Sequence, residues 1–185
     1  MLRKKAAFFK AFLKKGNRNG SVMPSSIFLC RKMISTIDFT QAKCIVELGA
    51  GEGVITREIV KKLGPDTQLF VFEMNTEFVE QFLNFDDPRI HVIADSAEFL
   101  GKYLSEHGID KVDYIISSLP LTIFPPELKE KILSESMSVL RQKGVYMQYF
   151  YSTIVGKYLK TKFRNVRMAY VPLNIPPAFV YTCQN

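Results

Sequence analysis

The chain has 185 residues, 47% of them hydrophobic and 23% charged, the size and composition of one globular domain with a full core. No apolar run approaches the roughly 18 to 20 residues that would cross a bilayer, and Cys30, Cys44 and Cys183 lie far apart without metal-ligand spacing, so a reduced cytoplasmic protein with buried thiols is expected. The net charge of +7 is unevenly placed: seven cations and no acid fall in the first twenty residues, and taking those seven from 25 leaves 18 basic against 18 acidic residues in the rest.

Wound at 100° per residue, residues 1–15 put Leu2, Ala6, Phe8, Phe9, Phe12 and Leu13 on one arc. Arg3, Lys4, Lys10, Lys14 and Lys15 fill the other, with Lys5 the one basic intruder. Large apolar side chains opposite lysines are the pattern of a helix lying in a membrane interface. The same segment also suits docking on its own domain, or phosphate contacts with a nucleic acid, so a phospholipid surface, the domain and RNA all stand as its partners. Lys10 interrupts the apolar stretch and argues against a secretory leader. The expected location is cytoplasmic, with peripheral attachment to the inner face of the membrane, and no obligate protein partner is evident.

Residues 1–20 therefore read as a basic amphipathic helix and linker, and 21–185 as a single domain. Gly, Ser and Asn through 16–26 mark a loop. Apolar spacing from Ile27 to Ile37 predicts a helix. Strands and helices then alternate: strand 43–48, helix 54–63, strand 69–73, helix 76–84, strand 90–94, helix 96–106, strand 112–117 and helix 127–140. Such alternation demands a mainly parallel sheet covered on both faces. A fifth strand over 145–151, a helix over 152–161 and strands 165–171 and 178–183 complete the pattern. The short proline-containing link between the last two is too brief for a helical crossover, so they should pair antiparallel. The whole is an α/β, Rossmann-like arrangement of seven strands ending in a hairpin.

The chemistry gathers at the strand ends. Cys44-Ile45-Val46 runs into Glu47-Leu48-Gly49-Ala50-Gly51-Glu52-Gly53 and then a helix, the strand, glycine turn and helix of a nucleotide site. The dinucleotide fingerprint wants a small residue where Val54 stands, and Glu47 would repel a pyrophosphate. A carboxylate there suits a ligand carrying ammonium and sulfonium charges, which points to S-adenosylmethionine. Glu73 and Asp95 close the next two strands. Each also suits the start of the following helix, but three acids ending three successive strands form a stronger pattern than any one. Tyr149 and Tyr151 share a strand face by the two-residue period, and their rings suit an amine that becomes cationic; ordinary core packing explains them equally well. His91 lies inside a strand and His107 beside a turn, placements that do not suggest a metal site.

These residues resemble the class I S-adenosylmethionine-dependent methyltransferases over roughly residues 40–183. Within that class the chain looks closest to the bacterial phospholipid N-methyltransferases. The matching segments are Gly20-Ser21 with Pro24-Ser25-Ser26, Ser117-Ser118-Leu119-Pro120-Leu121, Gln148-Tyr149-Phe150-Tyr151-Ser152 and Asn174-Ile175-Pro176-Pro177-Ala178. The resemblance implies that Gly49, Gly51 and Gly53 approach the methionine part of the cofactor and that Glu73, with Met74 beside it, holds the ribose. It further implies that Asp95, with Ser96 and Ala97, reaches the adenine, and that Ser117 and Ser118 begin the wall facing the acceptor. A related family, the rRNA adenine dimethyltransferases, normally reads Asn-Leu-Pro-Tyr in that wall; here Ser118 replaces the amide and Leu121 the aromatic ring. The expected activity is N-methylation of a phospholipid amine such as phosphatidylethanolamine at the membrane surface. Nucleic-acid adenine methylation and a non-catalytic cofactor-binding scaffold are the alternatives.

Overall fold

The computed structural model describes residues 25–82 and 85–185. The amphipathic helix expected over 1–15 lies outside the described residues. The first described helix, α1 (Ile27–Ile34), is capped by the Ser26 hydroxyl, which accepts a hydrogen bond from Leu29 N. It stops short of Ile37 and buries Leu29, Cys30, Met33 and Ile34. Full burial of a leucine-sized side chain contributes about 1.5–3 kcal/mol, so this face anchors the helix to the sheet.

The remaining elements follow the expected alternation. They are β1 (Cys44–Leu48), α2 (Val54–Val60), β2 (Gln68–Phe72), α3 (Thr76–Phe82), β3 (Ile90–Ile93), a 3-10 turn (Ala97–Phe99) running into α4 (Leu100–Glu106), and β4 (Val112–Ser117). After these come α5 (Pro126–Val139), β5 (Leu140–Phe150), α6 (Ile154–Lys160), β6 (Asn165–Val171) and β7 (Ala178–Gln184). The seven strands lie in the order β3-β2-β1-β4-β5-β7-β6. The first five are parallel, whereas β7 runs antiparallel to both β5 and β6. The hairpin is thus present, with its second strand inserted between β5 and the first.

Apolar clusters line both faces of the sheet, as parallel strands require. One gathers Phe70, Phe72, Leu100, Leu104, Ile132 and Leu133 beneath α4 and α5, and the other joins Ile45, Leu69 and Val71 to α1 and α2. All three cysteines are free and buried. Burial pushes the thiols of Cys30, Cys44 and Cys183 up to about 11, 12 and 12.

β5 begins five residues before the expected Val145. Leu140 pairs with Val112, and the register then shifts before Tyr114 meets Val145. Arg141, Gln142 and Lys143 are exposed in that irregularity, so the extension has no alternating buried face. β5 also ends at Phe150, which leaves Tyr151 in a bend just past the strand.

Candidate functional site

The carboxyl ends of β1 to β5 share one pole of the sheet, and every expected site residue lies there. The glycine turn is pinned in place: Gly49 N and Ala50 N both donate to Phe72 O, at 2.8 and 3.3 Å, and Gly53 N donates to Ala50 O at 2.9 Å. Gly49, Gly51 and Gly53 have φ of 77°, 54° and 73°, a left-handed conformation that side chains rarely adopt. Their surroundings differ. A Cβ on Gly49 would stand 2.8 Å from Leu119 Cδ2, and one on Gly53 would stand 2.5 Å from Phe82 Cε1, whereas one on Gly51 would meet nothing within 4 Å. Gly49 and Gly53 therefore admit the acceptor-side loop and α3 against the turn. Gly51 alone presents its backbone to open space.

Glu73 follows β2 and is buried. Its Oε2 accepts from Gly51 N at 2.8 Å and its Oε1 from Asn75 N at 2.8 Å. Burial raises its pKa, while these backbone donors act in the opposite direction. With the Met74 amide also acting on it, the carboxylate still keeps acceptor capacity beyond these bonds. Met74, half-buried, is the next residue along.

Asp95 stands two residues past β3. Its Oδ1 accepts from Ser96 N at 2.7 Å and its Oδ2 from the Tyr103 hydroxyl at 2.8 Å. That hydrogen bond is the first cause of a raised Tyr103 pKa. Ser96 caps the 3-10 turn, and Ser96 and Ala97 are both buried.

Glu47 has no exposed surface, and neither of its oxygens has a hydrogen-bond partner. Burial pushes its pKa up to about 7; Thr56 in the first turn of α2 and, more weakly, the Arg57 guanidinium favour the charge, and the nearby Glu73 opposes it. A buried carboxylate without a donor is costly unless a cation compensates it.

On the acceptor side, Ser118 N donates to Leu48 O at 2.9 Å, which ties the loop after β4 to β1. Ser117 is fully buried and Ser118 half-buried. Tyr149 and Tyr151 meet edge to face with ring centroids 5.7 Å apart. Tyr151 is 45% exposed, yet burial of its hydroxyl end raises its pKa, with Tyr149 the next cause.

Gln148, which opens one of the matching segments, had no role assigned from the sequence. This fully buried amide donates to Leu119 O and to Tyr149 O, both at 3.1 Å, and accepts from the Tyr146 hydroxyl at 2.8 Å. It fastens the acceptor loop to the end of β5, which bears Tyr149. Besides that match, the sequence signal was an amide inside the apolar run Val145–Phe150.

Two further features lie apart from this pole. A groove of about 430 Å³ lined by Phe39, Lys43, Lys62 and Thr67 opens at the amino ends of β1 and β2. His91 and His107, with ring centroids 4.6 Å apart, both pack on Phe70.

A parallel sheet with a reversed seventh strand, a glycine turn after β1 and acids at three successive strand ends defines the class I methyltransferase architecture. No family model matches the chain. The ornithine lipid N-methyltransferase of Singulisphaera acidiphila is 31% identical over 182 residues, covering 96% of this chain and 94% of that enzyme. The chain therefore belongs to the class I S-adenosylmethionine-dependent methyltransferases, in the family of that enzyme.

The ribosomal RNA small subunit methyltransferase A of Mycoplasma mycoides is 30% identical over 126 residues, 66% of this chain but 45% of that enzyme. Among solved structures, the Burkholderia thailandensis 1,6-didemethyltoxoflavin-N1-methyltransferase, with S-adenosylhomocysteine bound, has a TM-score of 0.72 at 14% identity, covering 100% of this chain and 90% of that one. At that identity it speaks for the fold. S-adenosylmethionine is the cofactor of the class, and the residues present fit it: an open cradle at Gly51, an unpartnered carboxylate for a cation, and spare acceptors on Glu73 for hydroxyls.

Proposed function

We propose that this methyltransferase N-methylates an amine carried by a lipid headgroup, such as that of phosphatidylethanolamine or an ornithine lipid, at the membrane surface. The observation that carries the reading is the near full-length similarity to an ornithine lipid N-methyltransferase. In this assignment Glu47 and the Gly49–Gly53 turn serve the methionine part of the cofactor and Glu73 with Met74 the ribose. Asp95, Ser96 and Ala97 serve the adenine, and Ser117 joins the loop across the cleft.

Bound there, S-adenosylmethionine supplies an electrophilic methyl group. The chain's own residues align and shield the reacting pair, since methyl transfer of this kind is served chiefly by positioning and exclusion of water. Ser118, at the loop's mouth, and the rings of Tyr149 and Tyr151 border the acceptor. Their π faces favour the cation that accumulates as the amine is methylated. Gln148 holds the loop and the end of β5 at a fixed separation.

The adenine alternative draws support from the ribosomal RNA relative over part of the chain. Against it, Leu121, where the rRNA dimethyltransferases carry an aromatic ring, is fully buried in the core and offers no ring for a base to stack on.

Incubation with methyl-labelled S-adenosylmethionine tests the proposal, using vesicles of phosphatidylethanolamine, vesicles of ornithine lipid and ribosomal RNA in separate reactions. Label in either lipid and none in RNA is expected. Label in RNA alone overturns the reading.

A further inference from the structure

Exposed apolar side chains concentrate at one half of the site's pole. Of the nine large ones among the described residues, six (Ile123, Tyr151, Ile154, Tyr170, Leu173 and Ile175) lie at or just past the carboxyl ends of β4, β5 and β6, and two more open α1. Ile27 and Phe28 open α1, where Ser26 N donates to Asn174 Oδ1 at 2.9 Å and so sets them beside the β6–β7 loop. That loop carries Leu173 and Ile175, 62% and 69% exposed. Tyr151 and Ile154 follow β5, the latter 75% exposed, and Asn174 acts on the Tyr151 hydroxyl, which joins the two groups. Ile123 stands in the loop between β4 and α5. The three acids occupy the other half of the pole, at β1, β2 and β3. The pole is thus divided into a carboxylate half and an apolar half, with the acceptor loop and the tyrosine pair on the apolar side.

Charge follows the same division. The segments bearing these side chains, 25–37, 119–126, 151–160 and 172–177, contain no aspartate or glutamate, and their cations, Arg31, Lys32, Lys157 and Lys160, stand in the last turns of α1 and α6, behind the rim. The preceding residues of the chain, with seven cations in the first twenty, join at Ser25 beside this rim. A cluster of exposed isoleucine, leucine and phenylalanine in acid-free segments matches the chemistry of an anionic lipid leaflet, where apolar groups enter the acyl boundary and cations meet the headgroups.

We infer that the apolar rim formed by the start of α1, the β4–α5 loop, the β5–α6 bend and the β6–β7 loop is a membrane-docking face of the folded domain, separate from residues 1–15, which seats the acceptor side of the cleft on an anionic leaflet. This inference rests on the lipid-amine reading and adds the surface through which a headgroup reaches the cleft without leaving its bilayer.

The test is co-sedimentation of the full chain with vesicles of phosphatidylglycerol and phosphatidylcholine, lipids without a primary amine, so that binding is read apart from methyl transfer. The double variant Ile154→Asp, Ile175→Asp is expected to lower the partition coefficient by roughly tenfold or more, by placing two carboxylates in the contact. Met168→Asp serves as the control, since Met168 is 54% exposed but lies midway along β6, and it should change partition less than about twofold. Cofactor affinity, measured by calorimetry, should be unchanged in both. Unaltered partition of the double variant, or an equal loss with Met168→Asp, overturns the inference. If residues 1–24 cover the rim instead, the double variant gains protease cleavage within them while vesicle binding is retained, which also overturns it. Label transfer to RNA alone with rim-dependent vesicle binding removes the substrate reading and leaves the docking face; label in lipid with rim-independent binding does the reverse.

Discussion

Glu47 burdens the folded protein whenever its carboxylate is charged, because both oxygens are buried without donors. Its folded pKa of about 7 stands above the ordinary 4.5. Between those values the unfolded chain has released a proton that the folded chain still holds, so stability falls as pH rises from 4.5 to 7, and the penalty is fully present above 7. The shift corresponds to about 3 kcal/mol at most. Glu47→Gln, which keeps the shape without the charge, should therefore raise the melting temperature at pH 8 and leave it nearly unchanged at pH 5. Equal effects at the two pH values would remove the titration from Glu47. A cationic ligand reverses the preference, so cofactor affinity should rise through pH 7 in the unmodified protein and flatten in the variant. At this scale the acids were legible because each one closes a run of apolar residues. Their fixed partners were not: the Tyr103 hydroxyl reaches Asp95 from α4, and Gly51 N reaches Glu73 across 22 positions of sequence. The separate reasons for Gly49 and Gly53 were also hidden, since Leu119 and Phe82 reach the turn only through the fold.

Among the elements, the loop after β4 and the end of β5 act as one unit through Gln148. Gln148→Leu would remove one hydrogen bond each from Leu119 O, Tyr149 O and the Tyr146 hydroxyl, although Leu119 O keeps the bond from Leu121 N and the Tyr146 hydroxyl keeps Ser117. A lost buried hydrogen bond costs roughly 0.5–1.5 kcal/mol, and more where a group is left without any partner. Denaturant unfolding should show a loss of about 2–4 kcal/mol. As a positioning residue, Gln148 should also affect turnover of the lipid acceptor more than cofactor affinity, because its contacts lie on the acceptor side. Equal losses in both would make its role structural only. The helices and strands of the first half were readable because burial on both faces writes continuous apolar runs into the strands and a 3.6 period into the helices. The extension of β5 to Leu140 was not, since Leu140 pairs with Val112 across a register shift and the exposed Arg141, Gln142 and Lys143 between carry no apolar alternation. Tyr151, expected to be the last residue of that strand, sits in the bend beyond it, where the two-residue period no longer governs its direction.

At the scale of the whole molecule, the sheet divides its ligand pole by strand order. β3, β2 and β1 end in Asp95, Glu73 and Glu47, while the β4, β5 and β6 ends carry Ser118, the two tyrosines and the apolar rim. The reversed strand was legible from the short link at 172–177, but its place between β5 and β6 was not, because link length fixes direction and leaves the neighbour open. Among the described residues no helix is long and apolar enough to cross a membrane, so in the proposed account contact with lipid rests on surface chemistry, from the rim and from the cationic first twenty residues. The account depends above all on the carboxylate half of the pole being the S-adenosylmethionine site, and titration calorimetry of the full chain with S-adenosylmethionine tests this most directly. Binding by the unmodified protein is predicted, with at least roughly tenfold weaker binding for Glu73→Ala, which removes the acceptor of Gly51 N, and for Gly51→Val, whose side chain would fill the open cradle and strain a φ of 54°. Absence of binding by the unmodified protein, or unchanged affinity in both variants while they remain folded, would contradict the account.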